Sequence, residues 1–589
     1  TSAGNAQTVE RGGLTYEKNV SVFEMLRRKP GGRLMSGKSK IFRLLLPVVI
    51  GIVLVFTVVM VHAESADKTY DIGDVEVKGS DRTALGVGNR DSLIYSATRE
   101  LNDLQLSDDK TSFSVLSTER GKGAAEEAIE PRENWFSIYY GSNDLLGYEL
   151  FDTFRVGSLQ DAIFLFGGGR EKSDGHRLNA GFSASEMKLD SGVNLAGDSN
   201  LEVRWNIKRK KNELPGPVSS PTPRARLDDT NIMLDLEFEH LEKDASRWGV
   251  DLLFGAHKRE VAVPDILQTV YEKYTDDIIT LGFEYVPSID SKGFLSFAYS
   301  YMHDEIKRHP LDGSAVTAGR KEASNHTISI QREILPGPET LLVLAARLDS
   351  HSLVGDKVST SMAVTHHMDP GWKLALNIGR EFDPSSFHQQ FFAMNYVAFD
   401  PAGQYKTPQT GYVGLKSEHF LDDSTQAALS LRRETVDSYP VYDDDLTTGK
   451  FSLVYREATV WKAEASVKLA LSEVLVGKAG YTFISTEDQF GKDLPFAPMN
   501  EWLVTLTYRY NDYINIGLDE RLVGKRFSGP NNIHRLDRYI LLGLDVNVAI
   551  SEVLNAYLRV DNIFDKGYQL RRNYPEPGRE IKVGMKVRF

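Results

Sequence analysis

Hydrophobic and polar residues alternate in steps of two along most of this chain. In its last stretch, EIKVGMKVRF, Ile581, Val583, Met585, Val587 and Phe589 fall on one side, and Glu580, Lys582, Gly584, Lys586 and Arg588 on the other. That is the period of a β-strand, whose successive side chains point to opposite faces. Leu201, Val203, Trp205 and Ile207 alternate in the same way with Glu202, Arg204, Asn206 and Lys208. Ile232, Leu234, Leu236 and Phe238 alternate with Met233, Asp235, Glu237 and Glu239, and Trp461 to Ser472 and Ile540 to Ile550 repeat the pattern. Cutting residues 133–589 at turn-like clusters gives about 22 strands of roughly ten or more residues, the length a tilted strand needs to cross a bilayer. Strands of soluble domains run nearer to five or six residues.

The connections also alternate in length. SLQ, LAGDS, DASR, DP, DD, SE, ND and a second SE are tight. Between them come LPGPVSSPTPRAR, the stretches Glu260 to Asp276 and Lys307 to Asn325, the region Tyr439 to Gly449, and LVGKRFSGPNN. This pattern predicts an all-β fold: a transmembrane antiparallel outer-membrane β-barrel with short periplasmic turns, longer extracellular loops and both ends in the periplasm. The apolar row of each strand then faces lipid and the charged row faces a wet lumen. The last strand closes against the first, because unpaired backbone groups in hydrocarbon cost several kcal/mol each.

Composition narrows the alternatives. The 589 residues are 41% hydrophobic and 26% charged with a net charge of -13, which fits neither a helical membrane bundle nor a basic nucleic-acid binder. There is no cysteine, so disulfides and thiolate sites are excluded. Before the barrel, Lys38, Lys40 and Arg43 precede an uncharged run from Leu44 to Val61, which ends in Val61-His62-Ala63. This reads as a signal peptide over 35–63, with a single anchoring helix as the alternative. Residues 1–34 read as an N-terminal extension or mis-called upstream sequence, leaving Met25 or Met35 as the start. Residues 64–132 are polar and weakly patterned, a periplasmic linker or vestigial domain ahead of a barrel over 133–589.

The C-terminal run LRVDNIFDKGYQLRRNYPEPGREIKVGMKVRF resembles the end of TonB-dependent receptors, in Asn562, Ile563, Phe564, Asp565, Lys566 and Tyr568 and in Tyr574, Pro575, Pro577, Gly578, Arg579 and Phe589. GREFDPSSFHQQF at 379–391 and KTPQTGYVGLKSEHF at 406–420 are similar to the family's barrel in the expected order. The resemblance implies a bacterial outer-membrane barrel without a cofactor. It implies a terminal row, Val583, Met585, Val587 and Phe589, that the barrel-assembly machinery reads. It also implies a plug domain and a short box gripped by the energising partner TonB. YDIGDVEVKGSDRT, residues 70–83, looks like that box, yet only 49 residues separate Thr83 from Glu133. A plug in this chain is therefore expected to be reduced or missing, or supplied by a separate chain.

The candidate chemistry lies on the inward faces. Arg204, Lys208, Asp545, Asn555, Tyr557, Arg559 and Asp561 are expected to line the lumen, as a selectivity lining or as a wet wall whose charges satisfy one another. Trp135, Tyr139, Trp502, Tyr508 and Tyr510 read as interfacial girdle residues. Lys208 to Lys211 would meet an anionic ligand or lipopolysaccharide phosphate, or simply water, and Asp443 to Asp445 calcium or water. His366 and His367 point to opposite faces and share no metal, and Gly167 to Gly169 lack the context of a phosphate cradle. No catalytic motif stands out, so an enzyme is not expected. The expectation is a porin-like transporter channel for an unknown polar solute, gated by loops that fold inward. The alternative is an assembly barrel whose lumen a partner protein fills.

Overall fold

The computed structural model describes residues 134–589, apart from 157–161, 196–198, 243–245, 266–269, 288, 291–292, 312–317, 369–370, 392–404, 423–424 and 446–449. The extension 1–34, the signal segment 35–63 and the segment 64–132 with its box lie outside the described residues.

Alternation becomes one closed antiparallel barrel, with 22 long strands among the described residues. The first half comprises β1 (Trp135–Gly141), β2 (Leu145–Val156), β3 (Ala162–Ser173), β4 (Phe182–Leu195), β5 (Ser199–Glu213), β6 (Arg226–Leu241), β7 (Arg247–Val263), β8 (Val270–Val286), β9 (Gly293–Pro310), β10 (Gly319–Gly337) and β11 (Thr340–His351). The second half comprises β12 (Gly355–Met368), β13 (Trp372–Phe382), β14 (Gln409–Asp422), β15 (Thr425–Asp445), β16 (Lys450–Ser472), β17 (Leu475–Asp488), β18 (Asn500–Asn511), β19 (Ile514–Val523), β20 (Tyr539–Ala549), β21 (Leu554–Asp561) and β22 (Glu580–Arg588). Each strand pairs with its sequence neighbours, and β22 also pairs with β1, from Trp135 opposite Arg588 to Gly141 opposite Lys582. No edge is left in the hydrocarbon.

The lipid-facing row of β22 is as the alternation predicts: Ile581, Val583, Met585 and Val587 are exposed and the lysines between them face in. Opposite it, Leu554, Ala556, Leu558 and Val560 of β21 take the same side. The expected loops from Glu260 to Asp276, Lys307 to Asn325 and Tyr439 to Gly449 are shorter than predicted, because β7 to β10, β15 and β16 carry on through them. There the apolar residues change sides. On β8, Ile279, Leu281, Phe283 and Tyr285 face lipid, whereas Val270 and Tyr274 face inward and are buried. Above the hydrocarbon the outer face meets water, so apolar side chains gain only by turning inward. The sequence then loses the phase that marked the strand. At about 3.3 Å per residue, the 23 residues of β16 far exceed the roughly 30 Å core of a bilayer.

Two aromatic expectations are overturned. Tyr139 is 2% exposed and faces the lumen, donating its hydroxyl to Glu171 Oε2 at 2.6 Å. Trp135 also faces inward, beneath the Lys586 ammonium at 4.0 Å. Their parity on β1 opposes that of Phe136, Ile138 and Tyr140, which face lipid. Trp502, Tyr508 and Tyr510 do lie on the outer face.

Candidate functional site: the barrel lumen

The inner wall is built from cross-strand charge pairs, because on a barrel every second residue of neighbouring strands meets at about 5 Å. On the β5–β8 side, Arg204 donates to Asp235 at 2.7 Å and Glu237 at 3.2 Å and also contacts Glu202. One step toward the periplasm, Arg247 lies 3.4 Å from Glu239 and 3.3 Å from Glu284. Toward the outside, Lys208 stands in register with Glu186 and Asn231, and Glu186 accepts from Asn206 and pairs with Lys188.

The opposite side holds the other candidates. Arg559 bonds Asp561 at 3.0 Å and Asp545 at 3.3 Å. Asn555 is in register with Lys586, and Tyr557 lies across Gly584, where a Cβ would sit 2.4 Å from the ring. All seven predicted lining residues therefore face the lumen, but in two separate networks rather than one ring. Each cation there already has an acidic partner or stands in register with one. In a wet lumen such half-exposed pairs contribute about 0–1 kcal/mol each to stability, so their main effect is on the field that a passing ion meets.

The C-terminal motif is a loop device. Asn562 and Asp565 adopt positive φ values of 51° and 54°. The Asn562 side chain accepts from the Lys566 N–H at 2.8 Å and donates to the Lys566 carbonyl at 2.9 Å. Asp565 accepts the Arg579 N–H at 2.8 Å, and Gly578 stands where a Cβ would fall 2.2 Å from that carboxylate. Tyr568 packs on Tyr539, and Tyr574 lies beneath Arg571 and Arg177. Pro577 leads into Gly578, while Phe564 is 73% exposed at the tip. These residues bend the last extracellular loop back toward β22. Phe589 is exposed on the outer face, its N–H bonded to the Asn134 carbonyl.

The inner wall carries a second group that the alternation does not reveal. After β13 the chain turns into the lumen and forms the short helix α1 (Phe387–Phe391). Its start is a reciprocal cap: Ser386 Oγ accepts the Gln389 N–H and Gln389 Oε1 accepts the Ser386 N–H. The Phe387 N–H, one of the unpaired donors of a helix start, goes to Asp304 Oδ2 of β9 at 2.6 Å. Phe387, Phe391 and Tyr405 then bury against Leu227, Val261, Val270 and Ile306 on β6–β9. Gln390 is held by the hydroxyls of Tyr442 and Tyr455 from β15 and β16. Behind the turn, Arg347 bonds Asp349 at 2.7 Å and the Phe382 carbonyl. Among the described residues no three His, Asp or Glu side chains are grouped to hold a metal ion.

A closed 22-strand barrel with an apolar outer belt and a charged lumen is an outer-membrane β-barrel of the transporter kind. The family described as TonB dependent receptor-like, beta-barrel matches residues 127–563, and the chain belongs to it. Among solved structures, the ferric-catecholate import receptor Fiu of E. coli K12 in its closed form is 14% identical. The match has a TM-score of 0.63 and covers 78% of this chain and 82% of that one. A copper transporter, OprC, matches with 14% identity, a TM-score of 0.64 and the same coverage. The ferric enterobactin receptor PfeA of Pseudomonas aeruginosa, in a mutant form, matches with 14% identity and a TM-score of 0.61, over 78% of this chain and 80% of that one. At this identity the likeness is one of fold. No curated protein matches the chain.

Proposed function

We propose that this protein passes a polar solute across the bacterial outer membrane through its charged lumen. In this reading the plug is reduced or absent, and the extracellular half is narrowed by the inward segment around α1. The observation that carries it is the division of the inner wall. Charge networks line one level of the lumen, while α1 occupies another from a single side. Export relies on the segment 35–63, and the barrel-assembly machinery reads Val583, Met585, Val587 and Phe589. TonB would act through residues 70–83, or a separate chain would supply the plug. Neither nucleic acid nor a cofactor enters this mechanism.

The test is conductance in planar bilayers, comparing the full barrel with a variant lacking residues 67–132. Steady conductance in both supports an open channel. Closure in the parent that the deletion relieves would make the short segment a plug and restore energised uptake.

A second reading has its own support. Leu503 is 51% and Met233 41% exposed although both lie on inward faces, an arrangement that a lumen-filling partner would cover. Copurification of a stoichiometric second chain, with no conductance in its presence, would favour that assembly role.

A further inference from the structure

We propose that the extracellular loops between β19 and β22 form a capture site for a soluble multivalent oxyanion, a molecule with phosphate or carboxylate groups, with Arg526 at its base. The proposal rests on the reading of solute passage through this barrel and names the class of that solute. Residues 524–538 and 562–579 hold eight Lys and Arg against three Asp and Glu, in a chain whose net charge is -13. In the lumen below, cations are matched by acids across strands; in these loops they are not. Among the described residues, Lys525, Arg526, Arg535, Arg538, Lys566 and Arg572 form no ion pair. Lys525, Arg535, Arg538 and Lys566 are exposed, so their charge is presented to the medium and raises the local concentration of anions.

Both loops position Arg526. It opens a two-residue ladder in which it stands opposite Leu536, and Phe527 opposite Arg535. Its Nη2 donates to the Gln569 carbonyl at 2.9 Å, which ties the first loop to the second, and its guanidinium lies 5.4 Å from the centre of the Tyr539 ring. Tyr568 packs on that ring at 4.7 Å. Arg526 is 5% exposed, yet its Nη1 meets no acceptor. A buried guanidinium without a carboxylate bears a desolvation cost that an incoming oxyanion offsets, and its planar fork matches two oxygens of one phosphate or carboxylate. The neighbouring acids do not take that place. Glu501 accepts from Arg521 at 2.9 Å, and Asp565 accepts the Arg579 N–H at 2.8 Å. Asp443 of the β15–β16 hairpin comes to Gly529, where a Cβ would lie 3.8 Å from its Oδ1. Asp537 is exposed and Glu576 half-buried, and neither forms an ion pair with Arg526.

Phosphates of the outer leaflet are the other source of this chemistry. Tyr539 is 4% exposed and belongs to the inward row of β20, whereas Ile540 faces lipid, so Arg526 lies on the lumen side of the mouth and favours a soluble anion. Nη1 is covered in this state, so the anion must displace a covering side chain to reach it.

The probe is inorganic pyrophosphate, titrated calorimetrically at low salt into the full protein in phosphatidylcholine nanodiscs. The parent should bind one equivalent with a Kd below about 1 mM. Arg526→Gln should weaken binding about tenfold or more, the loss expected for a charged hydrogen-bonding partner. Lys525→Gln combined with Arg538→Gln changes only exposed positions, should weaken binding severalfold, and serves if the first variant does not assemble. Arg209→Gln, which removes a partner of Asp228 at 2.8 Å elsewhere on the barrel, should bind as the parent does. A parent that does not bind, an affinity that the loop variants leave unchanged, or an equal loss in Arg209→Gln overturns the site. Nanodiscs containing lipopolysaccharide separate the two sources. Unchanged affinity there supports a soluble anion, and competition would assign the cations to lipid phosphate and overturn the proposal. Because calorimetry reads binding and not ion flow, a barrel that binds pyrophosphate but never conducts would sink the passage reading and leave this site standing.

Discussion

The two sides of this barrel solve different problems. Around β6–β10 and β15–β16 the strands run 16 to 23 residues, and their upper inner faces bury apolar side chains against α1. Around the seam, β1, β21 and β22 have 7, 8 and 9 residues and carry charge pairs and flat aromatic rings at a wet surface. The tall wall has a core of its own above the membrane, so it resembles a soluble sheet that encloses a segment of its own chain. The seam has only the bilayer and its own pairing. A substitution on the tall wall should therefore act on the inward segment, and one at the seam should act on barrel assembly.

The largest effect is expected at the seam. Removing Phe589, or replacing it with Asp, takes away the end of the exposed row Val583, Met585 and Val587. Most assembled barrel should be lost from the outer membrane while secretion to the periplasm continues, as fractionation and heat-modifiable gel migration would read. Equal assembly would remove the contrast in its strongest form.

On the tall wall, Phe387→Ala deletes a ring that is 0% exposed and should weaken docking of the segment by about 3–5 kcal/mol. The reaction of an added Ser385→Cys, a site 7% exposed in the docked segment, with a membrane-impermeant methanethiosulfonate at fixed pH should rise strongly, with the barrel's heat-modifiability unchanged. A lowered melting point of the whole barrel would show that the two regions are not separable.

Gly584→Leu tests the seam locally. The side chain would displace the Tyr557 ring, at about 1–3 kcal/mol, and lower the temperature at which the folded band converts on gels.

Asp383 sharpens the comparison by pH. Its folded value, about 6, lies above the ordinary 3.8, so its contribution to docking is fully present below 3.8 and is lost as pH rises through about 6. The mobility of a nitroxide attached at His388→Cys should increase between pH 4 and 7, and Asp383→Asn should flatten that step. The smallest effect is expected from Arg559→Ala, which breaks pairs that are half exposed to the lumen. Stability should change by less than about 1 kcal/mol, while ion selectivity moves toward cations because Asp545 and Asp561 are uncovered.

The barrel is legible in sequence where lipid lies on one side and water on the other, as on β22 and on β5 from Leu201 to Lys208. Lumen-facing Arg204, Lys208 and Arg559 follow from the same parity. Above the membrane that contrast fails: Val270 and Tyr274 are apolar but inward, and the stretch holding them reads as loop. Tyr139 and Trp135 depart from the girdle expectation for a related reason, since an aromatic ring suits either a membrane interface or a lumen with a nearby lysine.

Sequence by itself determined the strand period, the strand number, the outward row ending at Phe589 and the motif from Asn562 to Arg579 that marks the family. These rest on local spacing and on a solvent difference that every strand feels. Only the tertiary structure decided that Asp276, Asp304 and Phe387 meet, because they come from two strands and a distant loop. Their burial arises only when the barrel closes around that segment.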